Sequence, residues 1–82
     1  MMAKQPQATM QLVDRWKSGN YEVCLYRFDM HGVVVTPKDG KFDCELVKFH
    51  DKFDSRVWDC TGLQRNGITE EEVAELLKDM RT

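Results

Sequence analysis

The residues that could ligate a metal or act as nucleophiles are few and widely spaced. Cys24, Cys44 and Cys60 are separated by sixteen residues or more, and His31 and His50 are the two imidazoles. Zinc sites usually take two ligands from one tight turn, as in C-x2-C, because a shared turn lowers the entropy of assembling the site. The spacing here predicts free thiols on strands, where small cysteine side chains pack as apolar groups, and no metal or other cofactor. Ser18 and Ser55 lie in no motif that would activate a hydroxyl. Nucleophile elbow, phosphate-binding loop, H-E-x-x-H and dinucleotide fingerprint are all missing from the sequence. Asp51 and Asp54, on either side of Lys52, could be imagined as paired carboxylates. Acid–base work would need them desolvated so that their pKa values separate, and a short connection between strands is normally wet. The sequence therefore predicts a protein that is not an enzyme.

The elements that must position its side chains are legible from pattern. Thr69 followed by Glu72 is a capping box, with Ile68 and Val73 at the spacing of a hydrophobic staple. Val73, Leu76, Leu77 and Met80 then recur at i, i+3, i+4, i+7 and predict an amphipathic C-terminal helix. Glu70, Glu71 and Glu72 open that helix and Lys78 and Arg81 close it, as the helix dipole favours. Upstream, Tyr21–Phe28, Val33–Thr36, Lys41–Phe49 and Phe53–Asp59 read as strands. Asp39-Gly40 is a hairpin signal because both residues tolerate positive φ. Residues 9–17 fit either a strand paired through Ser18-Gly19 or a short helix ending at Gly19, with the strand favoured. Residues 1–8 carry Pro6 and no periodicity, and predict a frayed terminus. The expected architecture is one small α+β domain over residues 9–82: an antiparallel meander of four or five strands, with the helix packed on one face.

Alternation assigns the faces. Phe53, Ser55 and Val57 are expected beneath the helix, along with Phe42, Cys44, Leu46, Val23 and Leu25. The opposite, open face gathers Tyr26, Phe28, Phe49 and Trp58 with Arg56 and several acids. A contiguous aromatic patch of this kind usually has a partner. A shift of one residue would instead make Trp58 part of the core.

The run Lys-Phe-Asp-Ser-Arg-Val-Trp-Asp from Lys52, followed after a loop by Asn-Gly-Ile-Thr-Glu-Glu-Glu-Val, resembles the ending of the positive-cofactor-four family of transcriptional coactivators. The resemblance spans about residues 41–80. Asp54, Arg56 and Trp58 match that family's Asp-x-Arg-x-aromatic strand, and Gly67, Ile68 and Thr69 its helix entry. It implies four antiparallel strands followed by a helix, dimerisation, and single-stranded nucleic-acid binding. Arg56 would neutralise a phosphate and Trp58 stack on a base, with Lys48, Lys52 and Arg65 along the backbone.

Composition bounds these readings. The 82 residues include 12 Lys and Arg against 14 Asp and Glu, a net charge of −2. Residues 70–82 hold five acids and two bases, so the rest of the chain, with ten bases and nine acids, is close to neutral. Such a balance neither excludes a nucleic acid nor supplies a basic stripe for one. Asp43, Glu45 and Asp54 would repel a polyanion. Single-stranded nucleic-acid binding of the coactivator type is the leading expectation. The alternative is a small inhibitor or adaptor that binds a protein through the same open face with Arg56, Trp58, Phe49 and Tyr26, since aromatic and Arg anchors dominate protein interfaces. By class analogy, phages and mobile elements encode proteins of this kind. The odd cysteine count and the absence of any long apolar run point to the cytoplasm and away from a membrane. An unpaired edge strand would favour a homodimer.

Overall fold

The computed structural model describes residues 10–79. Five strands, β1 (Gln11–Ser18), β2 (Tyr21–Phe28), β3 (His31–Lys38), β4 (Lys41–Phe49) and β5 (Trp58–Ile68), precede one helix, α1 (Glu70–Asp79). They pair antiparallel in chain order as an open sheet. The expected α+β meander with a C-terminal helix is thus the fold. The frayed end expected at residues 1–8, and also Thr9, Met80 and Arg81, lie outside the described residues. No helix among the described residues is long and apolar enough to cross a membrane.

Residues 11–18 form a strand, not the alternative helix. Ser18 pairs with Tyr21 across Gly19-Asn20, and Gly19 takes φ 64°, so its positive φ serves a tight hairpin instead of ending a helix. Asp39 and Gly40 both have positive φ, 51° and 79°, and close the pair Lys38 with Lys41. β3 lies at the centre of the sheet, which accounts for its unbroken Val33-Val34-Val35: a strand covered on both faces gains from apolar residues in both directions. Pro37 is tolerated in it because the pairing of β2 with β3 begins only at Cys24 and Val35, leaving that stretch of backbone without a β2 donor requirement.

The sheet carries two small cores on opposite faces. Beneath α1, Val33, Val35, Cys44 and Val73 are buried, with Tyr26, Phe42, Ile68, Leu76 and Leu77 packed around them. On the other face Leu25, Val47 and Phe49 are buried, with Val34 and Trp58 against them. α1 is seated by the predicted capping box: Thr69 Oγ1 accepts from the Glu72 N–H at 3.2 Å, and Glu72 Oε1 accepts from the Thr69 N–H at 2.9 Å.

The expected strand over Phe53–Asp59 and the loop after it are exchanged in the structure. Residues 50–57 form the loop, and β5 starts at Trp58 and runs to Ile68. Thr61-Gly62 and Asn66-Gly67 look like turns, yet Gly62 (φ 91°) and Gly67 (φ 65°) sit at two register shifts within β5. They are bulges, which absorb extra residues while the strand goes on pairing. Thr61 bridges the first, donating to the Leu46 carbonyl at 3.0 Å and accepting from the Leu63 N–H at 3.2 Å. Asp43 Oδ1 accepts from the Gly67 N–H at the second, at 2.9 Å. The second bulge also sets both Arg65 and Ile68 on the helix side, opposite Cys44 and Phe42.

Phe49 lies over Gly32, whose added Cβ would fall 2.6 Å from the Phe49 ring and into the Tyr26 carbonyl. Gly32→Ala should therefore lower stability by about 1–3 kcal/mol through overpacking, read as a drop in the urea midpoint. Thr69→Ala should cost about 1 kcal/mol while Thr69→Ser keeps the cap, measured in the same way.

Candidate functional site

Arg27 is the residue that organises the face opposite the helix. On β2 it follows Val23 and Leu25 at alternate positions, so it points into the same core, and it is only 8% exposed. A guanidinium out of water must fill its donors. Its Nε donates to the Asp29 carbonyl at 2.7 Å, Nη1 to Ser55 Oγ at 3.0 Å, and Nη2 to the Asp51 carbonyl and, at 3.6 Å, to Met30 Sδ. Its carbon Cζ stands 4.1 Å from the centre of the Phe49 ring. A desolvated cation over an aromatic face is favourable by up to about 2 kcal/mol. None of the ion pairs among the described residues involves Arg27.

Two of those acceptors, Asp51 and Ser55, belong to the loop 50–57, so Arg27 hooks the loop onto the sheet. The neck closes where the His50 N–H donates to the Val57 carbonyl at 3.3 Å and His50 Nε2 meets Asp59 Oδ2 at 2.8 Å. Inside the loop, Asp51 Oδ1 accepts from the Phe53 N–H at 3.0 Å, and Asp54 Oδ1 accepts from the Arg56 N–H at 2.9 Å. These are two successive Asx turns, in which a carboxylate stands in for a backbone acceptor. The Arg56 guanidinium also grips Asp54, with Nε 3.0 Å from Oδ1 and Nη2 3.2 Å from Oδ2. Those hydrogen bonds from Arg56 hold the Asp54 carboxyl below its ordinary range and raise Arg56 in turn.

With its backbone tied down in this way, the loop turns apolar side chains outward. Phe53 is 90% exposed and Val57 52%. The expectation that both lie beneath the helix is overturned, because they belong to a loop on the opposite face. The expected open aromatic face is also divided. Phe49 is buried, 2% exposed, and Trp58 is partly buried against its cluster. Tyr26 pairs with Val33 and so belongs to the helix side, whereas Leu25, and Val23 by alternation, expected beneath the helix, lie on the opposite face. Burial, then Cys24, pushes the Tyr26 hydroxyl above the usual range. Phe28 shares that side by alternation.

Of the expected contact residues, the structure brings Lys52, Arg56, Trp58 and Phe49 together in and under the loop. Lys48 is exposed on the helix side of the sheet, opposite Asp59 and His31. Arg65 lies apart, exposed in a shallow groove between β5 and α1 with Ile68, Glu72, Glu75 and Leu76. Arg27 is the residue that sequence reading passes over, although its place in the alternation after Val23 and Leu25 was a signal of burial. Cys24 is half-buried, Cys44 buried and Cys60 exposed, all as free thiols. Burial and Asp43 push Cys44 up to about 11, and a hydrogen bond with Glu45 raises Cys60, so both favour the unreactive protonated form.

No protein-family model, curated protein or solved structure matches the chain. The resemblance to the coactivator family thus stands on the quoted residues alone. Of these, Asp54 and Arg56 lie in the loop and Trp58 at the start of β5, so the Asp-x-Arg-x-aromatic pattern does not run along one strand.

Arg27→Met should free the loop and leave the Asp51 carbonyl and Ser55 without their donor. A loss of about 2–4 kcal/mol is expected from breaking a buried hydrogen-bonded charge, with loss of amide protection at Phe53 and Arg56 in hydrogen exchange. Because the folded pKa of Asp54 is depressed, its contribution is complete above the ordinary carboxylate range near about 4 and is lost as pH falls through the lowered value. Asp54→Asn should reduce the acid-side fall in urea midpoint between about pH 7 and about pH 3, and NMR titration of Asp54 should give a midpoint below the unfolded-state one.

Proposed function

We propose that the protein is a non-enzymatic protein-binding module, an inhibitor or adaptor, whose contact element is the loop 50–57. One observation carries this reading: a loop pinned by a buried arginine and two Asx turns holds Phe53 and Val57 out in water. An exposed aromatic on a flexible loop can be incidental. On a pinned loop it is an anchor already in its bound conformation, and binding then loses less entropy on ordering. Arg56 and Trp58 flank the apolar tip, and aromatic and arginine side chains are the types that dominate interface energetics. The matching partner surface is an apolar pocket deep enough for one aromatic ring, with a polar rim for Arg56 and Lys52.

Single-stranded nucleic acid is the second reading, favoured by the nearness of Lys52, Arg56 and Trp58. Against it, Asp51 and Asp54 match those two cations one for one in the same loop, and Asp54 already holds Arg56. Trp58 also pairs with Phe49 and packs against its buried cluster, which leaves less of its ring for stacking.

Affinity capture with the immobilised full-length chain, compared with its Phe53→Ala variant, separates the two. A specific protein retained by the parent and lost at least about tenfold with Phe53→Ala is expected, since a hot-spot residue carries about 2 kcal/mol or more. In parallel, a fluorescent oligonucleotide should show no salt-dependent binding. Capture unchanged by Phe53→Ala would remove the loop from the interface. Oligonucleotide binding that weakens with salt and is lost with Arg56→Ala would establish the nucleic-acid reading instead.

A further inference from the structure

The sheet ends in two open edges, and they differ. β5 is interrupted by two register shifts with Gly62 and Gly67 at positive φ, irregularities that turn an edge away from further pairing. β1 contains no Gly or Pro, all eight of its residues are exposed, and its one irregularity lies near its start, between Leu12 and Asp14. Pairing with β2 satisfies only alternate backbone groups of β1, so every second N–H and C=O points away from the sheet.

We propose that β1 is a second binding edge, separate from the loop 50–57, which takes an extended acidic segment of a partner protein as a sixth strand. Charge selects the occupant. Arg15 and Lys17 share the helix side of β1, while Trp16, 37% exposed, is on the other. Their neighbouring carboxylate on β2 is Glu22, opposite Lys17 and 3.9 Å from Arg15, so two cations face one anion. An added strand with acidic residues at alternate positions sets a carboxylate against each cation, and the residue between them, if apolar, covers Trp16. This is strand addition, in which main-chain hydrogen bonds supply affinity and alternate side chains supply specificity. A second copy of β1 fits poorly. In a two-fold antiparallel pair the central residue meets its own copy: centred on Asp14 or Arg15 the pair sets like charges together, and centred on Trp16 it sets Arg15 against Lys17. Directly opposed like charges are destabilising.

The test is an NMR titration of the labelled full-length chain with three blocked synthetic peptides: alternating Val and Glu, the same with Lys for Glu, and the Val–Glu peptide N-methylated at alternate amides. Shifts confined to β1 and its β2 neighbours are expected with the Val–Glu peptide, weakening with salt, and none with the N-methylated form. Arg15→Glu with Lys17→Glu should reverse the preference between Glu and Lys peptides by about tenfold or more, as expected for close opposed charges. If that variant loses its fold, Arg15→Gln with Lys17→Gln should abolish the preference. The inference is overturned if no peptide shifts β1, if both charge forms bind equally, if N-methylation has no effect, or if the free chain is a dimer with β1 amides already protected. Phe53→Ala should leave peptide binding unchanged, so failure here and failure of the loop reading are distinguishable.

Discussion

A guanidinium removed from water imposes order on whatever surrounds it. Arg27 is the buried charged residue among the described residues, and its fork spans the β2–β3 turn through Asp29 and Met30 and the β4–β5 loop through Asp51 and Ser55. These two connections lie at one end of the sheet, and without that cation each would present carbonyl oxygens to an apolar core. Phe49 completes the arrangement, receiving the cation over its ring and packing its Cε2 and Cζ edge close to Gly32. The second core, the conformation of loop 50–57 and the outward direction of Phe53 all follow from placing one charge where its hydrogen bonds can be satisfied only by bending the backbone around it.

The two cores divide the work of a small sheet. α1 covers one face through Val73, Leu76 and Leu77, and the hooked loop covers part of the other. Neither cover reaches β1, whose residues are all exposed. The apolar surface available to a chain of this length is thus concentrated on β2, β3 and β4, while both edge strands carry mostly exposed side chains. The two surfaces proposed for partners lie where that concentration leaves off: at the loop tip, and along the β1 edge.

The side chains singled out as possible reactive groups have structural roles. The thiols Cys44 and Cys60 are held protonated, and the carboxylates of the loop are occupied as turn acceptors. Asp51 and Asp54, which invite comparison with a catalytic pair, fold the chain. The proposed contact features are an aromatic side chain on a pinned loop and a strand edge with two cations, which would act by complementarity of shape and charge.

Much of the architecture was legible in the sequence. The capping box at Thr69 and Glu72, the Asp39-Gly40 hairpin, the alternation in β2 and the helical stripe of Val73, Leu76 and Leu77 are local signals, each carried by residues within one turn or one strand of each other. The Phe53–Asp59 stretch departs from its pattern for a physical reason: its alternating Phe, Ser and Val satisfy a strand pattern, while Thr61-Gly62 and Asn66-Gly67 mimic turns. Which of the two pairs with β4 depends on bulges held by Leu46 and Asp43, and those partners are fifteen or more residues away. The same holds for Arg27, whose acceptors on Asp51 and Ser55 lie 24 and 28 residues along the chain. The strands β2 to β4, their hairpin order and the seating of the helix are written in the chain, because short-range hydrogen bonds and periodicity decide them. Which aromatics are buried and which are displayed is settled in three dimensions, because it depends on acceptors for Arg27 that lie far along the chain.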